Sequence, residues 1–192
     1  MSTFGEDTDL LVPAPRAAKV AFCAACGDRV APVFNEYWVG SPSDEVLRAV
    51  KLGWEFACTG LVDRESVASC RAELADIVAY YHEEDIAILA QAVTTCLRVV
   101  ECIGADGEES AARASARASG ACLYVALLAD NYINLRVPID NGPAELEEMQ
   151  WQTLALGRTS TWTGPCSRGM FADIGPTPPV WWATYQAAPE HI

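Results

Sequence analysis

The stretch GSPSDEVLRAVKLGWEFACTG, residues 40–60, is typical of an amphipathic helix with defined ends. Ser41 is a natural N-cap, and Pro42 suits the first helical position, where its missing N–H costs little. Gly60 is a common stop residue at a helix C-terminus. Apolar residues recur between these ends at steps of four and three, at Val46, Val50, Trp54 and Ala57. The stretch therefore predicts one helix with a single buried face.

The same periodicity extends in both directions along the chain. It predicts a first helix from about Pro13–Pro15 to Trp38, which Pro32 either kinks or divides. Further helices are predicted to start at Asp63 and, with Asp85 as its N-cap, after residue 85. Another helix is predicted over residues 108–129. A last helix is predicted to start at Pro143, with Leu146, Met149 and Leu154 on its buried side. No Val/Ile/Thr alternation is long enough to indicate a sheet. The sequence predicts an all-α bundle of about six helices in one domain, residues 1–192.

The two ends of the chain lack helical periodicity. We expect residues 1–12 to form a flexible N-terminus. Residues 157–192 are rich in Gly, Pro, Thr and Trp, which makes them too aromatic for a flexible tail. We expect them to form an irregular arm packed on the bundle. Within this arm, Trp181 and Trp182 can either anchor a protein interface or pack their rings internally.

The composition restricts the class of partner. The chain has 192 residues and a formal net charge of −13. This charge, without clusters of Lys or Arg, argues against nucleic acid and against anionic membrane surfaces. It favours a partner with a basic surface, although many cytosolic proteins are simply acidic. No targeting segment or apolar membrane span is visible, so we expect a cytoplasmic protein whose eight cysteines are reduced thiols.

Cys23 and Cys26 form a Cys-x-x-Cys pair. Such a pair can bind zinc, catalyse thiol–disulfide exchange, or be two small buried residues on a helix. Zinc requires further close-spaced ligands, and redox pairs usually follow a strand at a helix N-terminus. Neither feature is present, so the sequence favours core packing.

The segment YYHEED, residues 80–85, places His82 beside Glu83, Glu84 and Asp85. A histidine with carboxylates can indicate acid–base chemistry or a metal, but the helical spacing of metal ligands is missing. A solvated helix junction is the simpler interpretation, and an acidic contact surface is a third. Cys166 lies in a predicted loop without a histidine partner, which argues against a catalytic thiol.

Residues 19–38, KVAFCAACGDRVAPVFNEYW, and residues 43–60 resemble the opening of all-helical immunity proteins of bacterial polymorphic-toxin systems. The resemblance covers about the first third of the chain, and Gly27 departs from the pattern. The matching positions are Phe22, Cys26, Arg29, Pro32, Phe34, Ala49 and Trp54. The resemblance implies a cytosolic antitoxin that binds a toxin domain and blocks its active site or conformation.

The sequence thus indicates an immunity protein that binds a toxin domain with a basic surface. It assigns no catalytic residue, no cofactor-binding residue and no metal ligand. Two alternatives remain open: an enzyme with a site around His82 or a thiol, and a regulatory scaffold that binds a host protein. The enzyme alternative predicts a concave pocket that contains His82 or Cys166. The candidate partner-binding residues are the acidic Glu83, Glu84, Asp85, Glu145, Glu147 and Glu148, with Trp181 and Trp182.

Overall fold

The computed structural model describes residues 6–34, 43–133, 142–164 and 166–187. Within these ranges the chain forms eight α-helices and two short 3₁₀ helices, without a strand, which confirms the all-α prediction. The 3₁₀ helices span Ala31–Phe34 and Arg168–Phe171. The α-helices are α1 Glu6–Leu11, α2 Arg16–Val30, α3 Ser43–Thr59, α4 Arg64–Glu83, α5 Ala87–Ile103, α6 Glu108–Ile133, α7 Pro143–Thr161 and α8 Val180–Ala187.

Helix α2 lies at the centre of the bundle. It packs against α3, α5, α6 and α7, and nearly all of its residues are buried. Both Cys23 and Cys26 are among these buried residues, and burial raises the pKa of the Cys23 thiol well above its ordinary value. The Cys-x-x-Cys pair is therefore core packing, as the sequence predicted.

Two glycines allow α2, α3 and α5 to approach each other closely. A Cβ at Gly27 of α2 would lie 2.7 Å from Val50 Cγ2 of α3. A Cβ at Gly53 of α3 would lie 2.5 Å from Val99 Cγ1 of α5. Gly27 therefore marks a contact between helices, although in sequence it only weakens the helical pattern.

The predicted first helix is divided. Pro15 has an extended backbone and precedes α2, and α2 ends at Val30 where the Ala31–Phe34 turn begins. Residues 35–42 lie outside the described ranges, so the predicted cap at Ser41 and Pro42 does too. Helix α1 forms where a flexible N-terminus was expected, and its last residue, Leu11, is fully buried. That expectation is wrong for Glu6–Leu11.

Helix α4 begins next to Asp63, as predicted, but the cap predicted at Asp85 is wrong. Asp63 caps the N-terminus, and its carboxylate accepts hydrogen bonds from the Ser66 and Glu65 N–H groups. Asp85 is not the N-cap of α5; Ile86 occupies that position. Instead Asp85 has φ +56°, and the Ile86 N–H donates to the Tyr81 carbonyl at 2.9 Å. This left-handed turn is a Schellman-type end of α4.

The C-terminal region is more helical than predicted. Helix α7 continues past Gly157 to Thr161, and α8 packs against α6 and α7. Helix α7 also faces the core with a different side from the one predicted. The residues expected on its buried side are exposed, namely Leu146, Met149 and Leu154. In the described part of the chain, no helix has the length and apolar character needed to cross a membrane.

Candidate partner-binding surface

Glu83, Glu84 and Asp85 form an exposed acidic turn between α4 and α5. The positive φ of Asp85 reverses the chain there, so three consecutive carboxylates are presented to solvent. None of the three makes an ion pair with another described residue. The C-terminal end of a helix carries partial negative charge, so these carboxylates are unfavourable there. The negative charge of this cluster is therefore not stabilised by the helix or by an ion pair with another described residue.

The exposed face of α4 continues the acidic turn. Asp76, Tyr80 and Glu84 are spaced four residues apart, which places them on one side of the helix. The Tyr80 side chain is 55% exposed, while the neighbouring Tyr81 is buried. Helix α4 lies at the edge of the bundle against α5 and α3, so most of its surface faces solvent. The turn and this face form a continuous surface with carboxylates and an aromatic ring.

Glu148 does not belong to any surface. Its side chain is fully buried in α7, and Arg29 Nε donates to its Oε2 at 2.8 Å. Its Oε1 accepts from Gln152 Nε2 at 3.0 Å and from the Cys122 thiol at 3.2 Å. A carboxylate held by three internal donors is not free to contact a partner. The assignment of Glu148 as a contact residue is wrong.

Arg29 joins three parts of the fold. Its guanidinium lies 4.5 Å from the centre of the Trp151 indole ring and donates to the Pro176 carbonyl at 2.9 Å. Together with the bond to Glu148, these contacts connect α2 with α7 and with the segment that leads to α8. Arg29 is therefore a structural residue of the interior.

Glu147 is also used within the fold. Its Oε1 accepts from the Val180 N–H at 2.8 Å, and its Oε2 accepts from the Trp181 N–H at 3.0 Å. These two bonds cap the N-terminus of α8, where free N–H groups need acceptors. The side chain is 27% exposed and lies 3.6 Å from Arg29 Nη2. Its main contacts are internal, contrary to the expectation of a contact surface.

Glu145 is partly exposed near the start of α7. Its backbone N–H donates to Asp130 Oδ2 at 2.8 Å, and the Ala144 N–H donates to Asp130 Oδ1 at 3.0 Å. Asp130 of α6 thus serves as the side-chain cap of α7. Glu145 lines the groove beside α6, whereas Glu148 is buried, so the run at 145–148 is not one acidic patch.

Trp181 and Trp182 are buried, with 3% and 5% of their surfaces exposed. Their rings meet edge-on with centroids 5.9 Å apart, and Trp182 stacks on Tyr185 at 5.2 Å. Both residues pack α8 against the bundle. Their assignment as exposed interface anchors is wrong, and internal packing is the correct alternative.

A cavity of about 480 Å³ lies where α2, α3 and α7 meet the Arg168–Phe171 turn. Asp28 lines it and accepts from Trp54 Nε1 at 2.7 Å and from Arg168 Nη2 at 2.9 Å. Burial raises the pKa of Asp28, although both donors act in the opposite direction. The carboxylate fastens the Arg168 turn to α2 and α3, so its hydrogen-bonding capacity is directed at the protein itself.

A larger groove of about 740 Å³ runs between α5 and α6. Neither His82 nor Cys166 lines either cavity. Cys166 is buried, which raises the pKa of its thiol, and His82 is exposed beside the acidic turn. The enzyme alternative predicts His82 or Cys166 in a pocket, and neither of these two cavities contains either residue. Among the described residues, no group of three or more His, Cys, Asp and Glu is arranged to hold a metal ion.

Sequence reasoning missed the internal roles of Arg29, Asp130 and Glu147. Each acts on a helix that is distant along the chain, so no local spacing reveals it. The surface that remains from the prediction is the acidic turn with the exposed face of α4. Comparison of the chain with protein-family models, with curated proteins and with solved structures found no match.

Proposed function

We propose that this chain is an immunity protein that binds and neutralises a bacterial toxin domain through the acidic turn and the exposed face of α4. The observation that carries the proposal is the set of three exposed, unpaired carboxylates at Glu83, Glu84 and Asp85. They stand at a helix C-terminus, where the helix dipole disfavours negative charge. A cost in stability that no internal ion pair offsets is expected of charges that serve binding.

The net charge of −13 gives the whole chain a field that attracts a basic surface. Such a field accelerates association more than it strengthens the final complex. Tyr80, beside the turn, supplies an aromatic ring of the kind enriched at the centres of protein interfaces. The resemblance of α2 and α3 to immunity proteins supports the same class of partner. In this proposal the protein acts in the cytoplasm.

The proposal is tested by co-expressing the full chain with the toxin domain encoded beside its gene. We expect cells that carry both proteins to grow, and the two proteins to elute as one complex in size-exclusion chromatography. Death of the cells at the same rate with and without this chain, and separate elution, would refute the proposal. Capture of a housekeeping protein in place of the toxin would favour the scaffold alternative.

The contact surface is tested with two variants that remove the same number of charges. The first is Glu83→Gln, Glu84→Gln, Asp85→Asn in the acidic turn; Asn tolerates the left-handed backbone at position 85. The control is Asp9→Asn, Glu55→Gln, Asp106→Asn, at exposed positions on α1, α3 and the turn before α6. We expect protection to weaken in the first variant and to persist in the control.

A further inference from the structure

The groove between α5 and α6 has two chemically different ends. The helices run antiparallel from the short connection at residues 104–107, because so few residues can only join adjacent helix ends. Arg98 lies five residues before the end of α5 at Ile103, and Arg113 lies five residues after the start of α6 at Glu108. Arg98, Arg113 and Arg117 therefore line the end of the groove nearest the connection.

The opposite end of the groove is mainly apolar and aromatic. It is lined by Leu123, Tyr124 and Leu127, which follow the arginines along α6, and by Glu145 at the start of α7. The residues from Arg113 to Leu127 span roughly 21 Å at about 1.5 Å per residue. Between the two ends, α6 contributes the small residues Gly120 and Ala121, and α5 contributes Gln91 and Thr94. The result is an elongated groove with a cationic end and an apolar end.

The three arginines are incompletely neutralised by the protein. Arg98 pairs with Glu101, but its Nε is buried without a hydrogen-bond partner. Arg113 lies 3.7 Å from the carboxylate of the exposed Glu109. The Arg117 side chain makes no ion pair or hydrogen bond with any other residue that the structure describes. Arg113 and Arg117 stand one helical turn apart, a spacing at which like charges repel.

This concentration of cations contrasts with the rest of the chain. The protein has 13 Lys and Arg residues against 26 Asp and Glu residues, yet three of the cations line one groove. The fold does not need them there, because Arg113 and Arg117 are exposed and join no other helix. An anion placed at this end would relieve the repulsion between them. Arginine is well suited to this role, since its planar guanidinium binds carboxylates and phosphates through paired hydrogen bonds.

We propose that the α5–α6 groove binds a single-chain amphiphile with an anionic head. The head, a carboxylate or a phosphate ester, lies against Arg98, Arg113 and Arg117. The alkyl chain extends along Leu123, Tyr124 and Leu127. The volume of about 740 Å³ falls within the usual range of small-molecule sites, which are mostly apolar with a few placed polar groups. No residue of the acidic turn lines this groove, and its occupancy does not depend on the toxin-binding proposal.

The test is isothermal titration of the full chain with dodecanoate and with dodecyl phosphate, each below its critical micelle concentration. We expect one saturable site for at least one of the two ligands. Dodecyltrimethylammonium is the opposite-charge probe. It should show no such site, although the acidic chain as a whole attracts it. Absence of saturable binding of both anions, or equal binding of the cation, would overturn the proposal.

The residues are tested with Arg113→Gln, Arg117→Gln against the control Arg64→Gln. Arg64 is exposed at the start of α4 and does not line the groove. We expect the double variant to lose at least tenfold in affinity and the control to bind as the unmodified chain does. Because both groove arginines are exposed, both variants should fold, and thermal unfolding checks this. Equal affinity in folded double variant and control would place the anion elsewhere and contradict the proposal.

Discussion

Arg29 Nε lies 2.8 Å from Glu148 Oε2, with both side chains buried and 119 residues apart in sequence. Removing two charges from water costs several kcal/mol per ion, and this cost is offset only where hydrogen bonds satisfy the remaining groups. Here Gln152, Cys122 and the Pro176 carbonyl supply such bonds. Arg29 Nη2 has no hydrogen-bond partner among the described residues and lies 3.6 Å from Glu147 Oε1. The pair therefore fixes how α7 rotates against α2, and it turns Leu146 and Met149 towards solvent.

The first prediction concerns this pair. Glu148→Leu removes the closest carboxylate from the buried Arg29 and leaves only Glu147, 3.6 Å from Arg29 Nη2, so we expect a loss of about 3 kcal/mol in the free energy of unfolding. Arg29→Leu leaves the Glu148 charge buried without its Arg29 partner. The double variant should lose less than the sum of the two single losses. Urea denaturation of the four proteins measures this coupling, and strictly additive losses would show that the two charges do not depend on each other.

The second prediction compares two glycines in helices. Gly53→Ala forces a Cβ to within 2.5 Å of Val99 Cγ1, and we expect a net loss of about 1–2 kcal/mol from overpacking. Gly157→Ala adds a Cβ that meets nothing within 4 Å on the exposed side of α7. It should stabilise the protein by about 1 kcal/mol through helix propensity. Thermal unfolding distinguishes the two; a stabilising Gly53→Ala would contradict the close packing of α3 on α5.

The third prediction concerns the cap of α8. Glu147→Ala removes the acceptor for the Val180 and Trp181 N–H groups, and loss of such a cap typically costs about 1 kcal/mol. We expect the segment before α8 to be cleaved faster by a protease, and the emission of Trp181 and Trp182 to shift to the red. Glu83→Ala removes an exposed carboxylate at the C-terminal end of α4 and is the control; it should change neither the rate of proteolysis nor the tryptophan emission. Unchanged proteolysis in Glu147→Ala would show that α8 is held by its aromatic rings alone.

The fourth prediction concerns pH. Hydrogen bonds from the Ser66 hydroxyl and N–H hold the pKa of Asp63 below its ordinary value of 3.8. A carboxyl group whose pKa is lower in the folded state stabilises the fold at pH values above the ordinary pKa. It loses that contribution as the pH falls through the lowered one. In Asp63→Asn we therefore expect a smaller loss of stability between pH 5 and pH 2 than in the unmodified chain.

Asp76→Asn, which removes a carboxylate without a hydrogen bond to the described residues, is the matched control for this measurement. Its stability should fall with acidification as steeply as that of the unmodified chain. If Asp63→Asn and Asp76→Asn gave the same slope, the hydrogen bonds at the α4 N-terminus would not be the source of the pH dependence.

Helix boundaries set by local chemistry could be predicted from the sequence. Asp63 caps α4, Glu108 begins α6 and Pro143 begins α7, because each signal depends only on residues within one turn. Asp85 has the same chemical capacity as Asp63 but lies in a left-handed turn. The C-terminal turn of α4 requires a residue that tolerates a positive φ, and Asp also meets that requirement. At position 85 this requirement outweighs the N-cap of α5.

The rotation of α7 could not be read from its apolar residues. Leu146, Met149 and Leu154 suggested a buried side, but the side that faces the core carries Glu148 and Gln152. Their burial follows from partners on α2 and α6 that no local pattern contains. For the same reason adjacent glutamates at 147 and 148 looked like one solvated surface. Of the predicted contact residues, Glu83, Glu84 and Asp85 are exposed. Their exposure could be predicted because they follow one another around the end of a helix.

The most direct test of the proposed function is the rate at which the chain associates with its toxin domain. Steering by the acidic turn predicts that Glu83→Gln, Glu84→Gln, Asp85→Asn slows association by about tenfold or more at low ionic strength. The difference should narrow as salt screens the charges. The control Asp9→Asn, Glu55→Gln, Asp106→Asn should lower the rate far less. Equal association rates for the two variants would contradict the assignment of the acidic turn as the toxin-binding surface.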